Sequence, residues 1–327
     1  MSFTLVDPAT VRLNRSEMAV PASNPKFIDK STQSSADVIL FDLEDSVAPD
    51  EKNDARSLLI KSLKEKNWGH RTLSVRINSL DTPYMYRDIV DVVEQVGDKL
   101  DMIMIPKVGT AADVYAVDML LTQIEIACGF NKHLGIELLI ETALGMKNIN
   151  EIAAASPRNE SLHFGAGDYA ASTRMRTINI GGPHPDYKVL TEPNENGLRE
   201  AHWDDMWHYP TARMVIAARA NGLRPVNGPF GDFSDPEGLQ VYAKRSAVLG
   251  CEGIWAIHPT QVEIANELFT PTEEEVNRAK RILLAMEQAE KEGKGAVALD
   301  GRMIDIVSIK QAETMVKKAE LINLNSK

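Results

Sequence analysis

Two acids in this chain stand where chemistry could be done. The run Gly135, Ile136, Glu137, Leu138, Leu139, Ile140, Glu141 is an apolar β-type segment that closes on a carboxylate. A second run, Ser161, Leu162, His163, Phe164, Gly165, Ala166, Gly167, Asp168, closes the same way. The residues between them suffice for one crossover helix, so the pair reads as a βαβ unit with Glu141 and Asp168 on neighbouring strand tips. Side by side, two carboxylates repel, and at neutral pH either one holds a proton or both share a cation. Sharing would make a divalent metal site of oxygen ligands, suited to Mg²⁺ and equally open to Mn²⁺. Taken singly, each acid could instead cap the helix after it, since a helix dipole favours negative charge at its N-terminus.

The elements that must hold these acids repeat along the chain. Apolar β-type runs fall at 18–20, 38–41, 72–78, 100–105, 135–140, 161–168, 223–226 and 253–257, and a helical pattern follows each. Eight such units with right-handed crossovers predict a (β/α)8 TIM barrel, in which active sites form at the C-terminal ends of the strands. Here those ends present Asp42, Glu44, Asp45, Arg76, Lys107, Glu141, Asp168, Asn227 and His258. The rhythm breaks at about 170–207, a long excursion rich in Gly, Pro and scattered acids. The barrel is expected to span 1–269. Residues 270–327 read as a C-terminal helical lid: a capping box with proline from Thr270, Pro271 and Glu273, an amphipathic helix, a loop at 296–307 and a last helix from about 308 to 322.

Several of these residues invite roles. Arg76 can pair with the acidic tip beside it, or use its fixed cationic fork to stabilise an oxyanion such as an enolate near the metal. Asp42, Glu44 and Asp45 read as holding Arg76, a water or the next helix cap rather than the metal. His258, before a proline at a strand end, reads as a pocket residue. The segment Gly165, Ala166, Gly167 lacks the third glycine of a dinucleotide fingerprint. Its small residues instead let backbone N–H groups approach a carboxylate bound at the metal. Asp305 lies among Met303, Ile304, Ile306 and Val307, where an acid needs a partner or a function; on residues alone it reads as a cap for the last helix.

Composition excludes some partners. A formal net charge of -11 argues against nucleic acid, whose phosphates need basic surfaces. No apolar run reaches the roughly 18 residues of a membrane span. Two cysteines, Cys128 and Cys251, offer no disulfide framework, so a reducing cytoplasm is the expected setting.

The stretches VILFDLEDSVAP (38–49), SVRIN (74–78), IMIPKV (103–108), LIETALG (139–145), FGAGDYAAST (164–173), VNGPFGDFSDP (226–236), WAIHPTQ (255–261) and the segment 301–309 cover the chain end to end. In order and spacing they resemble the citrate lyase β-subunit and HpcH/HpaI aldolase superfamily, and within it the malyl-CoA lyases. The resemblance implies that Glu141 and Asp168 bind Mg²⁺, that Arg76 contacts the acyl substrate, and that coenzyme A lies near Ala19, Asn24, Lys30, Ile257 and His258. Some relatives carry arginine at the position of Asn24 and a large aromatic at that of Ala19. It further implies a homotrimer or dimer of trimers in which the loop carrying Asp305 reaches a neighbouring subunit's site. The reaction implied is reversible cleavage of (S)-malyl-CoA to acetyl-CoA and glyoxylate, with Arg76 stabilising the enolate and Asp305 moving its methylene proton. β-Methylmalyl-CoA is a further substrate to expect. Competing readings on the same scaffold are a malyl-CoA thioesterase, a citramalyl-CoA lyase and a β-subunit served by an acyl carrier protein.

Overall fold

Short runs of Val, Ile, Leu and Met, buried along their length, form the strands of a closed parallel barrel. The computed structural model describes residues 6–177 and 179–325. The barrel strands are β1 (Ser16–Pro21), β2 (Val38–Asp42), β3 (Thr72–Arg76), β4 (Met102–Ile105), β5 (Gly135–Ile140) and β6 (Asn159–Phe164). A short antiparallel hairpin, β7 (Lys188–Leu190) with β8 (Ala201–Trp203), stands apart from the barrel. β9 (Arg224–Asn227) and β10 (Gly253–Ala256) complete the barrel, which runs β1-β2-β3-β4-β5-β6-β9-β10 and back to β1. All eight expected strands are present, and the (β/α)8 barrel expected from the sequence is the fold observed.

Each barrel strand feeds a helix, with a second one after β6 beyond the β7–β8 hairpin: α1 (Pro25–Ser31), α2 (Lys52–Glu65), α3 (Met85–Val96), α4 (Ala111–Cys128), α5 (Ala143–Ala153), α6 (Ala166–Thr173), α7 (His208–Ala220), α8 (Pro236–Leu249) and α9 (Pro259–Leu268). Local chemistry fixes their starts. Thr110 and Asp113 form a reciprocal capping box on α4, and Asp235 caps α8 with Pro236 in its first turn. The strand interiors follow period 2, so Glu137, Leu139 and Glu141 share the inward face of β5. Leu139 joins Leu40, Met104, Val226 and Trp255 in one buried cluster drawn from five strands. Among the described residues no helix is long and apolar enough to cross a membrane.

The chain divides into two compact units, Met1–Asn266 and Glu267–Lys327. The second holds α10 (Glu273–Lys291), a hairpin of β11 (Val297–Leu299) and β12 (Arg302–Ile304), and α11 (Ile306–Asn325). Three local expectations change. The capping box of α10 is Thr272 with Glu275, not Thr270 with Glu273. The segment expected as a loop at 296–307 contains the β11–β12 hairpin, turning through Asp300 and Gly301, both at positive φ. The excursion likewise carries the exposed β7–β8 hairpin.

Candidate active site

Register brings the first functional pair together. Asp42, the last residue of β2, is the register partner of Arg76, the last residue of β3. Arg76 donates from Nε and Nη2 to the two Asp42 oxygens, both at 2.7 Å, in a two-pronged pair. Its Nη1 lies 3.2 Å from Glu44 Oε2, a buried oxygen with no hydrogen bond among the described residues. Burial alone would raise the Asp42 carboxyl, but the Arg76 guanidinium outweighs it and holds the group down at about 2. Asp42 also accepts the backbone N–H groups of Glu44 and Ser46, at 2.9 and 3.1 Å. The expectation that the acidic tip holds Arg76 and caps the following segment describes this geometry.

Glu141 directly follows β5 and is 2% exposed. Burial first, then the nearby carboxylates of Glu44 and Asp168, push its carboxyl up to about 8, against the opposing pull of Arg76 and Lys107. Its Oε1 accepts the Lys107 backbone N–H at 2.8 Å. Lys107 makes that bond from a left-handed conformation, φ 52°, unusual for a residue with a side chain. Its ammonium pairs with Glu44, lies 3.3 Å from Asp45 and reaches 3.8 Å from Asp168. Lys107 thus joins four carboxylates of the mouth. The sequence placed it at a strand tip without giving it a role; the signal was a lysine straight after Pro106, where β4 must turn out of the barrel.

Asp168 is a partial correction. β6 stops at Phe164, and Asp168 lies in the first turn of α6 rather than at a strand tip. Gly165 is the reason: its N–H still bonds Ile140 O at 3.1 Å, after which the chain turns directly into the helix. β5 and β6 are neighbours, so Asp168 still faces the same mouth, with its side chain 42% exposed. A Cβ at Gly165 would stand 2.4 Å from Glu141 Oε2, so the glycine makes room for that carboxylate. Because the Gly165 N–H belongs to the barrel, the amides available to a bound anion are those of Ala166 and Gly167, in the helix turn that lacks intrahelical acceptors.

A buried carboxylate that resists charging, Glu141, with a second one, Asp168, near enough to push it further up, offers a pair of hard oxygen donors. Such a set fits Mg²⁺ or Mn²⁺, and a cation there would compensate the charge that burial disfavours.

The residues expected at coenzyme A divide. Ala19 on β1 is half-buried. Asn24 uses its side-chain oxygen to cap α1, accepting from Lys26 and Phe27 N–H at 3.1 and 3.2 Å, while Lys30 is exposed on that helix. Ile257 is exposed, and its N–H and that of His258 are held by the Gln261 side chain. The His258 ring stacks on Phe233, centroids 5.0 Å apart and 16° from parallel. Asp305 lies in the second unit, half-buried, accepting the N–H groups of Val307 and Ser308 at 2.9 and 3.3 Å. The capping role read from its neighbours is the one observed within that unit.

A second acidic group lies deeper in the barrel, where the strand tips give no sign of it. Glu17, Glu137 and His163 are fully buried inside the barrel, with one possible ligand atom from each within 4.8 Å of the others. Both imidazole nitrogens are already engaged, Nδ1 by the Trp255 N–H at 2.8 Å and Nε2 by Ser161 and Glu137 at 2.8 and 3.2 Å. That engagement makes the group a hydrogen-bonded core. Its signal was Glu137 inside an otherwise apolar strand.

Comparison with known proteins agrees with this geometry. The family model for HpcH/HpaI aldolase/citrate lyase matches residues 15–259. The chain is 52% identical over 323 residues to an L-malyl-CoA/beta-methylmalyl-CoA lyase of Cereibacter sphaeroides, covering 99% of this chain and 100% of that one. It is 37% identical to a (3S)-malyl-CoA thioesterase of the same species, covering 94% and 95%. Among solved structures it is similar to CitE from Mycobacterium tuberculosis in complex with magnesium, acetoacetate and coenzyme A, at TM-score 0.70 and 26% identity over 95% of this chain and 99% of that one. A barrel of this topology, its carboxylate mouth and a match through every barrel strand lead to one conclusion: the chain belongs to the HpcH/HpaI aldolase/citrate lyase family.

Proposed function

We propose that this protein is a Mg²⁺-dependent carbon–carbon lyase that cleaves (S)-malyl-CoA reversibly to acetyl-CoA and glyoxylate, and β-methylmalyl-CoA to propionyl-CoA and glyoxylate. The observation that carries the reading is the buried Glu141 carboxylate, set with Asp168 and Arg76 in one mouth, in a chain similar over 99% of its length to a lyase of that name. Mg²⁺ at Glu141 and Asp168 would supply Lewis acidity to the 2-hydroxy acid end of the substrate. Everything else falls to the protein. The Ala166 and Gly167 amides, at a helix N-terminus, orient the carboxylate. As the hydroxyl gives its proton to solvent and its carbon becomes the aldehyde, the C–C bond breaks and its electrons pass to the thioester as an enolate. Arg76, gripped along one edge by Asp42, stabilises that enolate. Asp305, arriving from a neighbouring subunit, gives its proton to the enolate carbon and makes the acetyl methyl group. Coenzyme A would lie along Ala19, Asn24, Lys30, Ile257 and His258, in a homotrimer or dimer of trimers in the cytoplasm.

The thioesterase at 37% identity supports a second reading in which the thioester bond breaks instead. One experiment separates them: purified chain, Mg²⁺ and (S)-malyl-CoA, with phenylhydrazine to trap glyoxylate and a parallel free-thiol assay. Glyoxylate without free thiol is the expected result, and Glu141→Ala should abolish it. Free coenzyme A without glyoxylate would move the function to hydrolysis. Citramalyl-CoA tested beside malyl-CoA bounds the acyl range, since one methyl group discriminates by only about 1–3 kcal/mol.

A further inference from the structure

Beneath the carboxylate mouth lies a ring of polar contacts that the scheme above does not use. Ser74 on β3 donates to Glu137 Oε2 at 2.5 Å. The Ser161 hydroxyl lies 3.1 Å from Glu137 Oε1 and 2.8 Å from His163 Nε2, which is itself 3.2 Å from Glu137. The other imidazole nitrogen, Nδ1, lies 2.8 Å from Trp255 Nε1. An indole N–H can only donate, so Nδ1 is an acceptor and the proton of a neutral ring sits on Nε2, toward Glu137 and Ser161. Trp255 on β10 then packs against Arg76, whose guanidinium carbon is 5.6 Å from the indole centroid. Arg76 follows Ser74 by two residues on β3 and shares its face, so the contacts leave β3, pass through β5, β6 and β10, and return to it.

This ring does something the Asp42 pair cannot. Asp42 grips the Nε–Nη2 edge of the guanidinium, and on the far side Nη1 has only a 3.2 Å approach to Glu44 Oε2 that makes no hydrogen bond, so the plane can still rock about the gripped edge. An aromatic ring standing beside the guanidinium carbon restricts the rocking, provided the ring itself cannot turn. The bond from Trp255 N–H to His163 stops it turning, and the pair is buried, Trp255 at 5% and His163 at 0% exposure. We propose that Trp255 and His163 are positioning residues: His163 pins the indole, and the indole holds the Arg76 guanidinium in the plane that meets the enolate oxygen.

The inference rests on the lyase reading for its kinetics but not for its spectroscopy. Arg76 meets full negative charge only in the transition state, so loosening it lowers kcat and leaves KM in place. Trp255→Phe keeps an aromatic face and removes the N–H. It should lower kcat for (S)-malyl-CoA about tenfold, with KM within about twofold, the scale of one lost buried hydrogen bond. Trp255→Leu should lose more. His163→Asn can keep an acceptor toward the indole and should retain more activity than His163→Leu. Unchanged kcat in Trp255→Phe, a change confined to KM, or equal losses in the two His163 variants would overturn the proposal. In ¹⁵N-histidine-labelled wild type, His163, identified by its absence from His163→Asn, should be neutral with its proton on Nε2. A proton on Nδ1, or an imidazolium, would overturn the clamp even if every variant failed to fold. A wild type that released no glyoxylate would sink the lyase reading, and the tautomer would still decide the clamp.

Discussion

Glu141 concentrates the physics of the site in one side chain. It is buried, its carboxyl is pushed up to about 8, and the space it fills exists only because position 165 has no Cβ. Gly165→Ala should therefore act on Glu141 rather than on the fold at large: activity should fall at least about a hundredfold and the Mg²⁺ requirement rise, while the cost in stability stays near 1–3 kcal/mol. A Mg²⁺ titration of activity beside urea unfolding checks both halves. Asp42 carries the opposite sign. Its folded value of about 2 lies below the unfolded value near 4, so its stabilisation is complete above about pH 4 and is lost as pH falls through 2. That contribution is on the order of 2 kcal/mol, and the stability gap between wild type and Asp42→Asn should narrow between about pH 5 and 2. Glu141, Arg76 and Asp42 could be located from the sequence because each ends an apolar run. Lys107 could not be given a role, because its strained φ and its reach to four carboxylates depend on groups set by the ends of β2 and β5 and by the first turn of α6.

At the scale of elements, β5 shows why an alternating strand can serve two layers. Glu137 faces the core, Glu141 the mouth, and Leu139 separates them on the same face. The core layer is itself pH-sensitive. Burial first, and then Glu137, push the Glu17 carboxyl up to about 8, so it keeps its proton in the folded state. A raised folded value means stability that is fully present below the unfolded value near 4.3 and declines as pH rises toward about 8. Glu17→Gln removes that slope, and chemical unfolding from pH 5 to 9 should show the variant gaining on the wild type as pH rises. Element boundaries are the least legible feature of the sequence. Asp168 looked like a strand end because Gly165, Ala166 and Gly167 carry no helical signal, whereas the barrel ladder ends at Phe164 and the helix starts immediately. The β11–β12 hairpin was hidden for a related reason, since three-residue strands are too short to show a period.

For the whole molecule, the proposed sharing of Asp305 between subunits makes a prediction that a single-chain site would not. Asp305→Ala and Glu141→Ala chains, each inactive alone, should regain activity when unfolded, mixed and refolded together. In a ring of random composition about a quarter of sites would combine an intact barrel with an intact neighbouring segment. No recovery would place Asp305 in a purely local, helix-capping role. The sequence by itself determined the class of fold, the family resemblance and the strand ends that carry Asp42, Arg76 and Glu141, because eight buried strands each declare themselves by local composition and the active end of a parallel barrel is always the same end. Only the tertiary structure decided which of those charges meet. The Asp42–Arg76 fork, the Lys107 bridge, the room made by Gly165 and the His163–Trp255 clamp are set by register between strands and by burial, and neither is carried by any one segment of the chain.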